Sequence, residues 1–334
     1  MVENRQFQII SEMRIIPIDV RQTRCVLTRR GVLAGALLST LAGCAVQAPP
    51  VLAPSVTPPE PPEPAPPVVM RPPRVGLALG GGAARGFAHV GVIAVLEQHG
   101  LRPDLVVGTS AGSLVAALYA SGKNAAELEA AALAMEEATL TDWTLPFANR
   151  GMLRGTALAK YVNTQVQSRT IERMPLPLGI VATDLANGEG VLFRRGDTGT
   201  AVRASSAVPG VFQPVEIAGR EYVDGGLVAP VPVRYAQQMG AELVVAVDIS
   251  SAPEGNAATD SFKVLLQTFA IMGQTINRHE LASAQVVVRP PLKGVGSAAF
   301  GERQRSIAAG REAMLAALPA LRQQLTLRAV RVVR

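Results

Sequence analysis

Cysteine, histidine, lysine and aromatic residues are all scarce in this 334-residue chain. Two cysteines, Cys25 and Cys44, exclude a disulfide scaffold and a cysteine-ligated zinc module. Three histidines, His89, His99 and His279, are scattered and leave no cluster for a metal site. Charged residues make up only 17% of the chain against 48% hydrophobic, which argues against disorder and supplies a full-sized core. The net charge is +6, but four arginines and no acid in residues 321–334 account for much of it. Only four of the 32 basic residues are lysines, and no basic patch is interleaved with aromatics. Nucleic acid is not an expected partner.

The N-terminal 44 residues read as an address rather than a fold. A basic pair, Arg29-Arg30, precedes an uncharged apolar run that ends in Leu41-Ala42-Gly43-Cys44. That order is the layout of an export signal. Its end resembles the lipobox of bacterial lipoproteins, in which the cysteine is lipidated and becomes the new N-terminus. Residues 28–33 also resemble a twin-arginine signal, so either export route fits. Residues 1–27 are polar and sit poorly before a signal: they are either a long n-region or lie ahead of a later start, for instance at Met13 or Val26. Residues 45–73 hold 12 of the 25 prolines, a composition that favours an extended tether over a packed core. The folded body is expected over 74–334, on a membrane-anchored lipoprotein facing the periplasm.

Within the body, short apolar runs alternate with longer helical ones. Strands are predicted at 74–79, 105–107, 178–183, 190–193, 211–217 with 221–223, 243–247 and 285–288. Helices are predicted after the first strand up to His99, and at 111–121, 125–138, 156–167, 198–206, 233–239, 261–284 and 302–325. Such alternation implies a largely parallel sheet covered on both faces. Residues 105–122 carry no charge and are long enough to raise a membrane span. Their glycines, serines and strand-then-helix pattern speak against one.

Three short motifs carry the chemistry. Gly108-Thr109-Ser110-Ala111-Gly112 fits the nucleophile elbow, a strained strand-to-helix turn whose glycines avoid collisions with neighbouring elements. The helix starting at Ala111 would direct its positive end at the serine. Gly80-Gly81-Gly82-Ala83-Ala84-Arg85-Gly86 ends the first strand. It lacks the Gly-Lys-Ser/Thr of a P-loop, and Arg85 stands where a dinucleotide fingerprint needs its third glycine. What remains is a loop whose backbone N–H groups can meet an anion beside the nucleophile, an oxyanion hole. Asp224-Gly225-Gly226 offers a carboxylate on a tight turn.

Together these motifs resemble the bacterial branch of the patatin-like phospholipase family, in order and spacing as well as in kind. Residues 204–210, Ala-Ser-Ser-Ala-Val-Pro-Gly, resemble that family's stretch before the aspartate motif. The resemblance covers roughly residues 74–290. It implies a three-layer α/β/α fold and a Ser–Asp dyad that hydrolyses acyl esters of lipids without a cofactor or metal. Ser110 is then the nucleophile and Asp224 the base. Gly81, Gly82 and the Ala111 N–H are the oxyanion donors, supported by Gly80, Gly86, Gly108, Gly112, Gly225 and Gly226. Arg85 would orient the loop or meet a phosphate.

The same residues leave some alternatives open. His279 follows Ser110 and Asp224 in hydrolase order, but its place in the middle of a predicted helix favours a surface or packing role. His89 reads as packed, Asp184 as a turn former or a support for the site, and Trp143 and Phe147 as core or lid. The arginine tail reads as a solvated helix end rather than a headgroup contact. A carboxylate base predicts activity that persists where histidine is protonated. Two functional classes stand: a phospholipase A, lysophospholipase or esterase, with transacylation as a variant, and a non-catalytic lipid-binding or envelope scaffold. Intact Ser110, Asp224 and glycine loop favour the first.

Overall fold

The computed structural model describes residues 68–136, 142, 150–250, 260–296 and 298–333. The export signal, Cys25, Cys44, most of the proline-rich stretch, Trp143 and Phe147 lie outside the described residues.

The chain opens with β1 (Val68–Arg71) and β2 (Val75–Leu79), then α1 (Phe87–Gln98), β3 (Leu105–Thr109), α2 (Ala111–Ala120) and α3 (Ala125–Ala134). Next come β4 (Gly151–Leu153), α4 (Thr156–Gln165), β5 (Leu178–Asp184), β6 (Gly190–Phe193) and α5 (Thr198–Ser205). Three short strands follow, β7 (Gly210–Phe212), β8 (Val215–Ile217) and β9 (Arg220–Asp224), and then α6 (Val233–Gln238) and β10 (Leu243–Val247). The C-terminal part holds α7 (Ser261–Ala282), β11 (Val286–Val288), α8 (Arg303–Leu327) and β12 (Val330–Val333).

The central sheet runs β11-β10-β2-β3-β5-β9-β8, with β6 on the other edge of β5. Its first five strands are parallel, while β6, β9 and β8 join antiparallel. Strands β3, β5 and β10 are buried residue by residue, because helices cover both faces. Leu77, Leu79, Val106, Ile180 and Val245 point into a core shared with α1, α2, α3 and α8. Ala78, Val107, Val181 and Val244 point the other way, onto α6 and the end of α7. The fold is therefore α/β with helices on both faces of a mostly parallel sheet, as the alternation predicts.

Register then brings the two motif ends together. Strand β5 offers one edge to both β3 and β9: Thr109 pairs with Val181, and Asp224 pairs with the next residue, Ala182. The parallel strand β3 and the antiparallel strand β9 thus meet end to end, and the turns that follow them share one side of the sheet.

Four features depart from the sequence reading. Val68–Arg71, inside the expected 45–73 linker, is a strand paired antiparallel with Val330–Val333. The C-terminal tail is accordingly not a helix end alone, since α8 stops at Leu327 and the chain turns into β12. The expected 211–217 strand is two strands, broken at Gln213-Pro214, because proline has no N–H to continue a ladder. Gly151–Leu153 adds a short parallel pair with β7 that no alternation announces. Residues 105–122 are β3, Ser110, α2 and a turn, and no helix among the described residues is long and apolar enough to cross a membrane.

Candidate active site

Ser110 sits on the turn between β3 and α2 at φ 53° and ψ −126°, a conformation that L-residues avoid. Close packing on either side enforces it. A Cβ on Gly108 would lie 2.4 Å from the Gly112 carbonyl oxygen, and one on Gly112 would lie 2.1 Å from the Leu79 carbonyl oxygen. Polar contacts hold the turn as well. The Ser110 N–H donates to Ser205 Oγ at 2.9 Å, and that hydroxyl donates to the Val181 carbonyl at 2.6 Å. Thr109 Oγ1 donates to the Ala229 carbonyl at 2.9 Å. Ser205 is a supporting residue that the motif reading passed over, although it lies within the 204–210 stretch.

The glycine loop packs directly on this elbow. A Cβ on Gly81 would meet Ser110 Cβ at 3.1 Å, and one on Gly86 would meet Ala111 Cβ at 2.9 Å. Its backbone groups divide into two sets. The Gly80 N–H donates to the Val247 carbonyl at 3.1 Å, and the Gly81 N–H donates to the Pro230 carbonyl at 2.9 Å. Gly81 therefore holds the loop in place rather than offering a donor, which corrects its expected role. The N–H groups of Gly82, Ala83 and Ala111 have no acceptor among the described residues. Ala83, at φ 50°, is the turn residue that redirects the chain there.

His89 is fully buried on α1, and its Nε2 lies 2.8 Å from the Gly80 carbonyl oxygen. That contact requires Nε2 to carry the proton and donate. Burial pushes its pKa down to about 4, so the ring is neutral and acts as a brace for the loop. The sequence reading placed it correctly as packed but had no means of seeing its partner. Arg85 is also buried, its Nε 3.5 Å from the Gly82 carbonyl. Desolvation lowers its pKa, and the nearby Asp248 carboxylate opposes that shift.

Asp224 ends β9. Its Oδ1 accepts from the Gly226 N–H at 2.6 Å, while its backbone carbonyl accepts from Thr183 Oγ1 at 2.8 Å. Gly225 is required because a Cβ there would lie 2.2 Å from the Val181 carbonyl oxygen. Oδ2 is buried and makes no hydrogen bond within the described residues. Burial raises the carboxyl pKa to about 6, against the opposing pull of the Gly226 N–H and the Ser110 hydroxyl beside it. The raised pKa brings the carboxyl toward histidine's ordinary range.

The remaining candidates separate from the site. His279 is exposed on α7. Asp184 forms the turn, accepting from the Ala186 N–H at 2.9 Å, and pairs with Arg220 at 2.9 Å.

Two recesses meet at Ser110. One is an apolar cavity of about 430 Å³, bounded by Val90, Leu114, Leu118, Leu158, Phe212 and Phe300. The other, about 250 Å³, is bounded by Gly82, Arg85, Asp224, Pro230 and Phe269.

A parallel-sheet α/β domain with a strained serine at a strand-to-helix turn, beside a buried carboxylate, defines a small class of folds. Residues 77–236 match the family model described as patatin-like phospholipase. An uncharacterized NTE family protein of Mycobacterium tuberculosis is 38% identical over 186 residues, 55% of this chain and 51% of that protein. Mouse patatin-like phospholipase domain-containing protein 6 is 33% identical over 193 residues, 55% of this chain and 14% of that protein. The crystal structure of VipD from Legionella pneumophila shares the fold, with a TM-score of 0.50 at 16% identity over 79% of this chain and 69% of that one. Residues 77–236 of the chain thus form a patatin-like phospholipase domain. The chain spans about half the length of the mycobacterial relative.

Proposed function

We propose that this protein is a serine lipid acyl hydrolase working through a Ser110–Asp224 dyad. The observation that carries the reading is the shared edge of β5, which sets the elbow serine beside a buried, half-bonded carboxylate. A serine hydroxyl is a weak nucleophile until a neighbour accepts its proton. Asp224 takes that proton through Oδ2 as Ser110 Oγ bonds to the ester carbonyl carbon. The oxygen that becomes negative faces the N–H groups of Gly82, Ala83 and Ala111 and the positive end of α2. Asp224 returns the proton to the departing alcohol oxygen, and the C–O bond breaks. Water then repeats the sequence on the acyl-serine and frees the acid. The acyl chain lies in the apolar cavity, and the alcohol portion lies in the second recess, where Arg85 can meet a phosphate. Activity rises with pH through about 6 as Asp224 ionises.

A fluorophosphonate probe and a phospholipid panel test this reading. The probe labels the wild type and not Ser110→Ala. Asp224→Asn loses hydrolysis, whereas His279→Ala stays within roughly a few-fold of wild type, its ring being solvent-exposed. Unlabelled wild type would favour a lipid-binding scaffold without turnover. Loss of activity in a folded His279→Ala would restore a triad.

The N-terminal sequence supports a second part of the proposal. Cys44, at the end of a lipobox-like run, is lipidated and tethers the body to the bacterial envelope through the proline-rich segment, with the body facing the periplasm.

A further inference from the structure

Helix α7 is apolar on two opposite sides of its first half. Phe262, Leu266 and Phe269 face inward and line the two recesses. Val264, Leu265 and Ile271 are 51, 38 and 50% exposed, with the exposed Thr268 and Thr275 among them, and Met272, 46% exposed, stands at the edge of this side, where it also borders the second recess. These positions fall on one outward stripe at helical spacing. Nine large apolar side chains are exposed among the described residues, and four of them belong to this stripe. A surface helix normally turns charge to water, yet from Ser261 to Thr275 the stripe has none. No carboxylate stands between Asp260 and Glu280; Arg278 is an exposed cation on the same helix, and Lys263, also exposed, pairs with Asp260 at 3.5 Å.

We propose that the outer stripe of α7 is the surface by which the domain settles on an anionic phospholipid membrane. The four side chains enter the headgroup–acyl boundary, and the flanking cations meet anionic headgroups. Because the inner side of the same helix walls both recesses, a lipid lifted from the bilayer travels along it to Ser110. The proposal rests on the reading of those recesses as lipid sites. A second copy of the chain fits the stripe less well. Four half-exposed side chains on one helix fall well short of the roughly 800 Å² per partner that a stable dimer buries.

The test uses the full-length chain with Ser110→Ala, which leaves vesicles intact, and adds Ile271→Trp. Emission is compared with the parent protein, whose one tryptophan is Trp143. With vesicles of phosphatidylcholine and phosphatidylglycerol, the new indole should shift to the blue and be quenched by lipids brominated in the acyl chains. In the Ser110 protein, Val264→Gln/Ile271→Gln should lower hydrolysis of vesicle phospholipid by about tenfold or more, while a soluble short-chain ester is cleaved within about twofold of wild type. Both positions are exposed and line neither recess, so the fold and the site are preserved. An unquenched indole at saturating vesicles, or equal vesicle hydrolysis by the two proteins, would overturn the proposal. A wild-type dimer that the double substitution dissociates, without lipid quenching, would assign the stripe to a second copy and overturn it too. Quenching in a protein that cleaves no ester supports the surface and removes only the hydrolase reading, so the two failures remain distinguishable.

Discussion

Ser110 and Asp224 each hold a conformation or charge that the fold would be more stable without. At Ser110 the strain is in the backbone. Ser110→Gly relieves about 1–3 kcal/mol of strain and adds roughly 0.5–1 kcal/mol of glycine entropy, so the variant should be more stable although inactive. A rise in Tm of about 2–4 °C would register a net gain near 1 kcal/mol. At Asp224 the strain is electrostatic. Its pKa moves from 3.8 to about 6 on folding, so the folded state binds the proton more tightly than the unfolded chain does. The stability this lends is complete below pH 3.8 and is lost as pH rises through about 6. Asp224→Asn keeps an oxygen for the Gly226 N–H and carries no charge. It should therefore raise Tm at pH 8 relative to wild type, with the gain shrinking as pH falls through this window. A pH-independent difference would show that the carboxylate is not the cause. Both residues were legible as motif members, but the buried, unpartnered Oδ2 and the His89–Gly80 contact were not: the first is set by what packs around Asp224, and the second by how α1 folds back on the loop just before it.

Among the elements, α1 and α8 set the geometry beneath the glycine loop. They cross with their backbones in near contact: a Cβ on Gly310 would lie 1.9 Å from the Ala88 carbonyl oxygen, and one on Gly91 would lie 2.0 Å from the Ile307 carbonyl oxygen. Backbone atoms cannot rotate aside as side chains do, so Gly310→Ala must push the helices apart. It should cost about 2–3 kcal/mol in denaturant unfolding. Because Ala88 neighbours His89, it should also lower kcat more than KM changes. An unperturbed unfolding midpoint would contradict the close crossing. Helices and buried strands were readable from their hydrophobic pattern, whereas the caps that Asn124 gives α3 and Asp197 gives α5 are seen in the structure. The pairs β1–β12 and β4–β7 were not. Each strand is three or four residues long, and its stabilising partner lies elsewhere in the chain.

For the whole molecule, the β1–β12 pair matters because it ties the entry of the body to its C-terminal end. Arg71 clamps Glu242 with two hydrogen bonds of 2.7 and 2.8 Å, and Glu242 also accepts from the Arg74 N–H. The arginine and these bonds hold the Glu242 carboxyl down at about 2. Strand β1 is thus fastened to the body on both counts. If Cys44 is the anchor, Cys44→Ser should leave the N-terminus without lipid by mass spectrometry and move the protein out of the membrane fraction. Wild type that stays in the soluble fraction with an unprocessed N-terminus would refute the anchor.

By itself, the sequence determined the alternation of strand and helix and the three motifs and their order. These are local properties, written in periodicity, glycine placement and composition. Tertiary structure alone decided which motif groups lie together. Asp224 reaches Ser110 because one edge of β5 accepts β3 and then β9 in adjacent registers, more than a hundred residues apart along the chain. Gly81 loses its donor role because the Pro230 carbonyl arrives from another loop. Hydrogen-bond partners and desolvation are set by what folding brings near, and a linear pattern carries no record of either.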